Sequence, residues 1–352
     1  MSSFRNPLND IPVKDQPLVS IISPSCNHEK YIGACIESVR NQTFPGWEMI
    51  IMNDGSTDNT QEIVESFIQL DDRIHLYNQE NIGIFRLSET YNKALHISRG
   101  KYIAVLEGDD LWEPDKLERQ VRILESDPGI ILAWGLAQTL NETSGNYGSP
   151  FPASVQQDVF NNDPPGQILK ALIFENPIPA ATLLFRKEIL LDAGGFQQTF
   201  NLPLVDLPTI FEMVPRGRFY FDQHLLATWR ISHLQVTKKY PVEILKGRWE
   251  LSRHHFLESD QKTRDAISIT PEQIDRYFSD RLLISYARSG RYRLIRKDFK
   301  GARNDYRQAV FFSGIRQPLW RLRAITGLLF SFFGWDVEGL SKLMGRVSYK
   351  KG

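Results

Sequence analysis

Cysteine is scarce in this chain: 352 residues contain two, Cys26 and Cys35. They cannot build a disulfide framework and do not form a Cys-x-x-Cys metal pair, so a reducing compartment fits best. A charge excess is also missing. Lys plus Arg and Asp plus Glu each number 42, which implies no polyelectrolyte partner and leaves nucleic-acid binding without its electrostatic basis. No run of about eighteen apolar residues is present to span a bilayer. Residues 1–16 are a polar, proline-containing tail without the apolar stretch of a signal peptide. The expectation is a cytoplasmic protein, soluble or at most peripheral at the membrane face.

What is present is alternation. Residues 18–23 form an apolar run, and residues 31–42 carry Ile32, Cys35, Ile36 and Val39 at helical spacing. Residues 47–52 repeat the strand pattern before a helix marked by Ile63, Val64, Phe67 and Ile68. A strand at 73–77, a helix with Leu87, Tyr91, Ala94 and Leu95, and a strand at 101–106 follow. Such alternation predicts right-handed βαβ units and a doubly wound, mostly parallel α/β sheet. A chain this long exceeds one ordinary core, so a main domain of roughly 220 residues with a smaller appended one is expected.

The strand at 101–106 ends in Glu107-Gly108-Asp109-Asp110. Carboxylates at the tip of an apolar strand repel one another and desolvate poorly, a conflict that a hard divalent cation resolves. The competing reading is a solvated acidic turn with Asp110 capping a helix that begins near Pro114. In a doubly wound sheet, ligands bind beyond the carboxyl ends of the strands. There the loop Pro24-Ser25-Cys26-Asn27, the loop Asn53-Asp54-Gly55-Ser56 and the acidic loop would converge. Asp54 could accept the imino hydrogen of a uracil-like base, or it could form an Asx-turn.

These motifs occur in order with Asn-Gln-Thr-Phe-Pro-Gly-Trp-Glu (residues 41–48) and Gly100-Lys-Tyr-Ile. Together they resemble family 2 glycosyltransferases of GT-A fold, densely over residues 17–120 and weakly to about 237. The resemblance implies inverting sugar transfer from a nucleotide-sugar, usually a UDP-sugar, to a hydroxyl, with Mn²⁺ or Mg²⁺ held by an Asp-x-Asp-like motif. It places the base-binding aspartate on Asp54, the metal motif on Glu107, Gly108 and Asp109, and the first loop on Pro24, Ser25 and Asn27. Asp109 is the strongest metal ligand. Glu107 and Asn53 stand where the family more often has aspartate.

Ala193-Gly-Gly-Phe196 resembles the family's turn ahead of the catalytic acid, which places the base on Asp206; there Val205 replaces the usual glutamate. The alternative for Asp206 is an N-cap of the helix carrying Ile210, Phe211 and Met213. In Trp229-Arg230-Ile-Ser-His233, the resemblance makes His233 a metal or phosphate contact, the alternative being a hydrogen-bonding surface or packing histidine, and Arg230 could reach a phosphate oxygen with a bidentate fork or pair with a carboxylate.

From about residue 240 the pattern becomes helical, at 242–258, 271–288, 300–312 and 318–333. The expected domains are therefore a GT-A domain at 17–237 and a helical domain at 238–352. The basic, aromatic stretch 318–351 reads as core, as a contact between copies of the chain, or as a membrane-interface helix. The expected partners are a nucleotide-sugar donor and a saccharide or lipid-linked acceptor. The rivals are a sugar nucleotidyltransferase, which normally needs a glycine-rich loop that residues 24–30 lack, and a silent scaffold that has lost its chemistry.

Overall fold

Strand and helix alternate from β1 (Val19–Ser25) through α1 (Ile32–Arg40), β2 (Trp47–Asp54), α2 (Thr60–Ile68), β3 (Ile74–Gln79), α3 (Leu87–Ile97) and β4 (Tyr102–Val105). The computed structural model describes residues 16–153, 157–231, 235–312 and 317–334. A two-residue strand, β5 (Leu111–Trp112), precedes α4 (Lys116–Ser126) and the long β6 (Ile130–Asn141). Next come α5 (Gln157–Phe160), α6 (Leu169–Phe174), β7 (Leu184–Arg186), α7 (Lys187–Asp192), α8 (Asp206–Met213) and β8 (Arg218–Ile231). Helices then follow: α9 (Val236–Lys239), α10 (Pro241–Glu258), α11 (Gln261–Ile267), α12 (Pro271–Ile295), α13 (Phe299–Phe311) and α14 (Pro318–Phe333).

The eight strands form one sheet in the order β3-β2-β1-β4-β7-β6-β8-β5. β3, β2, β1 and β4 run parallel, whereas β4–β7, β6–β7 and β5–β8 are antiparallel. The parallel arrangement expected from the alternation thus describes the first half, and the second half is mixed. Every residue of β1 and β2 is buried, because helices cover both faces of a parallel sheet; this is why these strands read as nearly unbroken apolar runs. Ile32, Cys35, Ile36 and Val39 of α1 pack into the same core as Ile21, Met49 and Ile51. Chain order runs outward from β1 to β3 on one side and resumes with β4 on the other. The carboxyl ends of β1 and β4 therefore flank a switch point.

The chain divides into two compact units, residues 1–232 with 258–268, and residues 233–257 with 269–352. In the second unit, Thr270 opens α12 with a reciprocal capping box to Gln273, and Pro271 occupies the first turn. Tyr306 of α13 is buried in its core with Tyr286, Ala302 and Ala324. A Cβ on Gly327 would fall 2.2 Å from the Tyr306 ring, so glycine is what lets α14 lie this close to α13. No helix among the described residues is long and apolar enough to cross a membrane.

Candidate active site

Three loops meet at the carboxyl edge of the parallel strands. Ser25 pairs in register with Asn53, and Ile22 with Val105. Beyond them, the amide of Leu106 donates to the Ile22 carbonyl at 3.1 Å and that of Gly108 to the Pro24 carbonyl at 3.3 Å. The acidic loop is thereby stitched to the tip of β1. A Cβ at position 108 would lie 2.6 Å from His28 Nδ1 and 2.9 Å from Ser25 Oγ. Glycine is required there by crowding.

Glu107, Asp109 and Asp110 each offer a ligand oxygen, and these atoms lie within 4.8 Å of one another. Three hard anionic oxygens so close suit Mg²⁺ or Mn²⁺. Electrostatics points the same way. Burial, then the charges of Asp109 and Asp206, push the Glu107 carboxyl up to about 8. Burial, then Asp109 and Glu107, raise Asp110 as well. A cation would remove that repulsion, and the donor set fits one.

Asp110 does not cap a helix. α4 begins at Lys116 after Asp115, while Asp110 Oδ1 accepts from the Arg230 amide at 3.0 Å. The antiparallel pairing of Leu111 with Thr228 and Trp112 with Ala227 brings that amide into place. The Arg230 guanidinium lies 5.3 Å from the centre of the Tyr31 ring, whose hydroxyl donates to Glu142. Arg230 therefore sits beside the carboxylates. His233 lies outside the described residues.

Asp54, at the end of β2, is buried. Its Oδ1 accepts from Gln79 Nε2 at 2.7 Å and from the Ile82 amide at 3.1 Å, and Asn81 Nδ2 donates to its carbonyl at 2.9 Å. Asn53 holds the loop together: it donates to Asn78 Oδ1 at 2.8 Å and accepts from the Ser56 amide at 3.1 Å. Asn27, at φ +56°, also serves as a clasp, with its amide on Ser56 Oγ and its Oδ1 on the Thr57 amide. Ser25 Oγ meets His28 Nδ1 at 3.2 Å.

Asp206 is the first residue of α8, and Val205 takes the cap position without a side-chain bond. Asn176 Nδ2 donates to Asp206 Oδ2 at 3.4 Å. Burial, then the charges of Glu107 and Asp206, raise the Tyr91 hydroxyl, which donates to Glu107 Oε1 at 3.3 Å, and Asp206 adds to the burial and the Asp109 charge that raise Glu107. The carboxylate near residue 206 and the acidic loop therefore belong to one electrostatic site. Sequence reasoning passed over Tyr91, Gln79 and Asn176. Tyr91 falls within the apolar stripe of α3, and neither amide sits in a recognisable motif.

Residues 20–182 match the family described as Glycosyl transferase family 2. TuaG of Bacillus subtilis (strain 168), which carries the name of a teichuronic acid biosynthesis glycosyltransferase, is 44% identical over 250 residues, 69% of this chain and 92% of TuaG. The chain belongs to glycosyl transferase family 2. Several other curated relatives of this family 2 protein match over 42–53% of their own length. Its fold is that of GT-A transferases. Staphylococcus aureus TarS 1–349, solved with UDP-GlcNAc, aligns at TM-score 0.54 and 17% identity, covering 91% of this chain and 88% of TarS. The mannosyltransferase PcManGT of Pyrobaculum calidifontis, solved with GDP-Man and Mn²⁺, aligns at 0.52 and 15%, with the same coverage.

Proposed function

We propose that this crevice transfers a glycosyl group, with inversion, from a nucleotide-sugar to a hydroxyl acceptor in polysaccharide or glycolipid assembly. The observation that carries the reading is the cluster of Glu107, Asp109 and Asp110 at the carboxyl edge, within the electrostatic reach of Asp206. The name of TuaG supports the polysaccharide context, and the ligands of TarS and PcManGT support a nucleotide-sugar donor and a divalent cation. UDP is the nucleotide favoured by Asp54, whose carboxylate suits the imino N–H of uracil.

Glu107, Asp109 and Asp110 would hold Mn²⁺ or Mg²⁺. When bound, such an ion neutralises diphosphate charge and stabilises the leaving group. Asp54 orients the base, held in turn by Gln79 and the Ile82 amide. Arg230, whose positive charge acts on Asp110 of the acidic loop, presents a guanidinium suited to diphosphate oxygens. Pro24, Ser25 and Asn27 shape the wall through which the base enters. Asp206 accepts the acceptor's hydroxyl proton on a carboxylate oxygen as the acceptor oxygen attacks the anomeric carbon opposite the leaving diphosphate. His233 is proposed as a second metal or phosphate contact.

The test is a panel of UDP-, GDP- and dTDP-sugars offered to the purified protein with and without Mn²⁺, read by calorimetry and slow donor hydrolysis. One donor that binds and is hydrolysed only with metal is the expected result. No nucleotide binding under any condition would overturn the reading.

A further inference from the structure

We propose that the outer face of α14 docks on an anionic phospholipid bilayer. Leu319, Leu322, Ile325, Leu329, Phe332 and Phe333 are between 43% and 69% exposed. At the angular step of an α-helix they fall within an arc of about 140°. The opposite face, Ala324, Gly327 and Ser331, is the buried one. The apolar row is therefore not the side on which α14 packs, and Phe311 at the end of α13 adds a further ring, 80% exposed. These side chains share one helix face, with Thr326 as the exposed polar residue among them, unlike the scattered apolar residues of an ordinary surface.

Charge selects the occupant. The described residues of α13 and α14 carry Lys300, Arg303, Arg307, Arg321 and Arg323, against Asp305 as the one acidic group. Asp305 is buried and bonded to Ser289 and Arg293. α14 itself contains no acid. By the same angular step, Arg321 and Arg323 flank the apolar arc on its two edges. Arg321 is part-buried and donates to the Phe312 carbonyl, whereas Arg323 is exposed and can reach headgroup phosphates while the leucines and phenylalanines enter the acyl boundary. The Arg303 guanidinium lies 5.2 Å from the Phe332 ring, on the same margin. A second copy of this face would bring like charges together, whereas anionic headgroups complement them. With 16 residues, α14 is too short to span a bilayer, which needs about 20. It would lie in the plane of the interface.

Flotation of the full-length chain with phosphatidylcholine vesicles, with and without phosphatidylglycerol, tests this. Binding to the phosphatidylglycerol vesicles is expected, weakened by salt, and reduced at least about tenfold in Leu322→Glu/Leu329→Glu. Both sites are exposed, so the variant should keep its thermal melt and its donor binding. Three results would overturn the proposal: failure of the unaltered chain to bind either vesicle, equal binding by the variant, or self-association in solution that the variant abolishes.

Discussion

Gln79 Nε2 donates to Asp54 Oδ1 at 2.7 Å, and the two residues are cross-strand partners in the β2–β3 ladder. Gln79 is held in turn by Thr90 Oγ1 and Lys93 Nζ, at 2.8 and 2.9 Å. A chain of bonds running from α3 thus aims the carboxylate proposed to read the base. Gln79→Leu removes one hydrogen bond to a charged acceptor, a loss of about 1.5 kcal/mol, or roughly tenfold in donor affinity. Titration calorimetry should show weaker nucleotide-sugar binding, while turnover at saturating donor is retained. A fall in turnover with unchanged affinity would contradict this role.

Gly108 faces a different constraint. Alanine there meets His28 Nδ1 and Ser25 Oγ inside contact distance, so Gly108→Ala should destabilise the first unit by about 1–3 kcal/mol and displace the acidic loop. Because the nearest obstacle is the His28 ring, Gly108→Ala combined with His28→Ala should recover part of the loss. Chemical denaturation of the two single variants and the double variant measures the coupling. Simple additivity would show that the crowding lies elsewhere.

Burial, and then the charge of His254, push the His255 imidazole down to about 4. Between its unfolded value near 6.5 and about 4, the folded chain binds fewer protons than the unfolded one. The stability linked to neutral His255 is complete above about 6.5 and is lost as pH falls, at up to about 1.4 kcal/mol per unit. His255→Gln should flatten that acid limb. Urea melts of both proteins at about pH 7 and about pH 4.5 would reveal it, and identical slopes would refute it.

Much of the first unit could be read from residue order. β1, β2 and β4 are buried on both faces, so their apolar runs were unmistakable, and helical spacing marked α1 to α3. Asp109 stood out because charge at the tip of an apolar strand needs a reason. The second half of the sheet was less readable. β5 is only two residues long, and β6 continues to Asn141 across a stretch whose last residues are partly exposed and look like loop. The antiparallel partners that bring Arg230 to Asp110 are set by tertiary pairing, which leaves no local signature. Tyr91 was hidden for a related reason: a tyrosine in an apolar helical stripe reads as packing, and only its bond to Glu107 shows that it also touches the site.

We propose that the acidic loop holds the donor while Asp206 takes the acceptor proton. The most direct test is to measure donor binding and transfer in Asp109→Ala and Asp206→Asn side by side, with Mn²⁺ present. Asp109→Ala should lose metal-dependent donor binding. Asp206→Asn should bind donor as the unaltered chain does and lose about 10²-fold or more in transfer rate. Normal turnover by either variant would contradict the assignment.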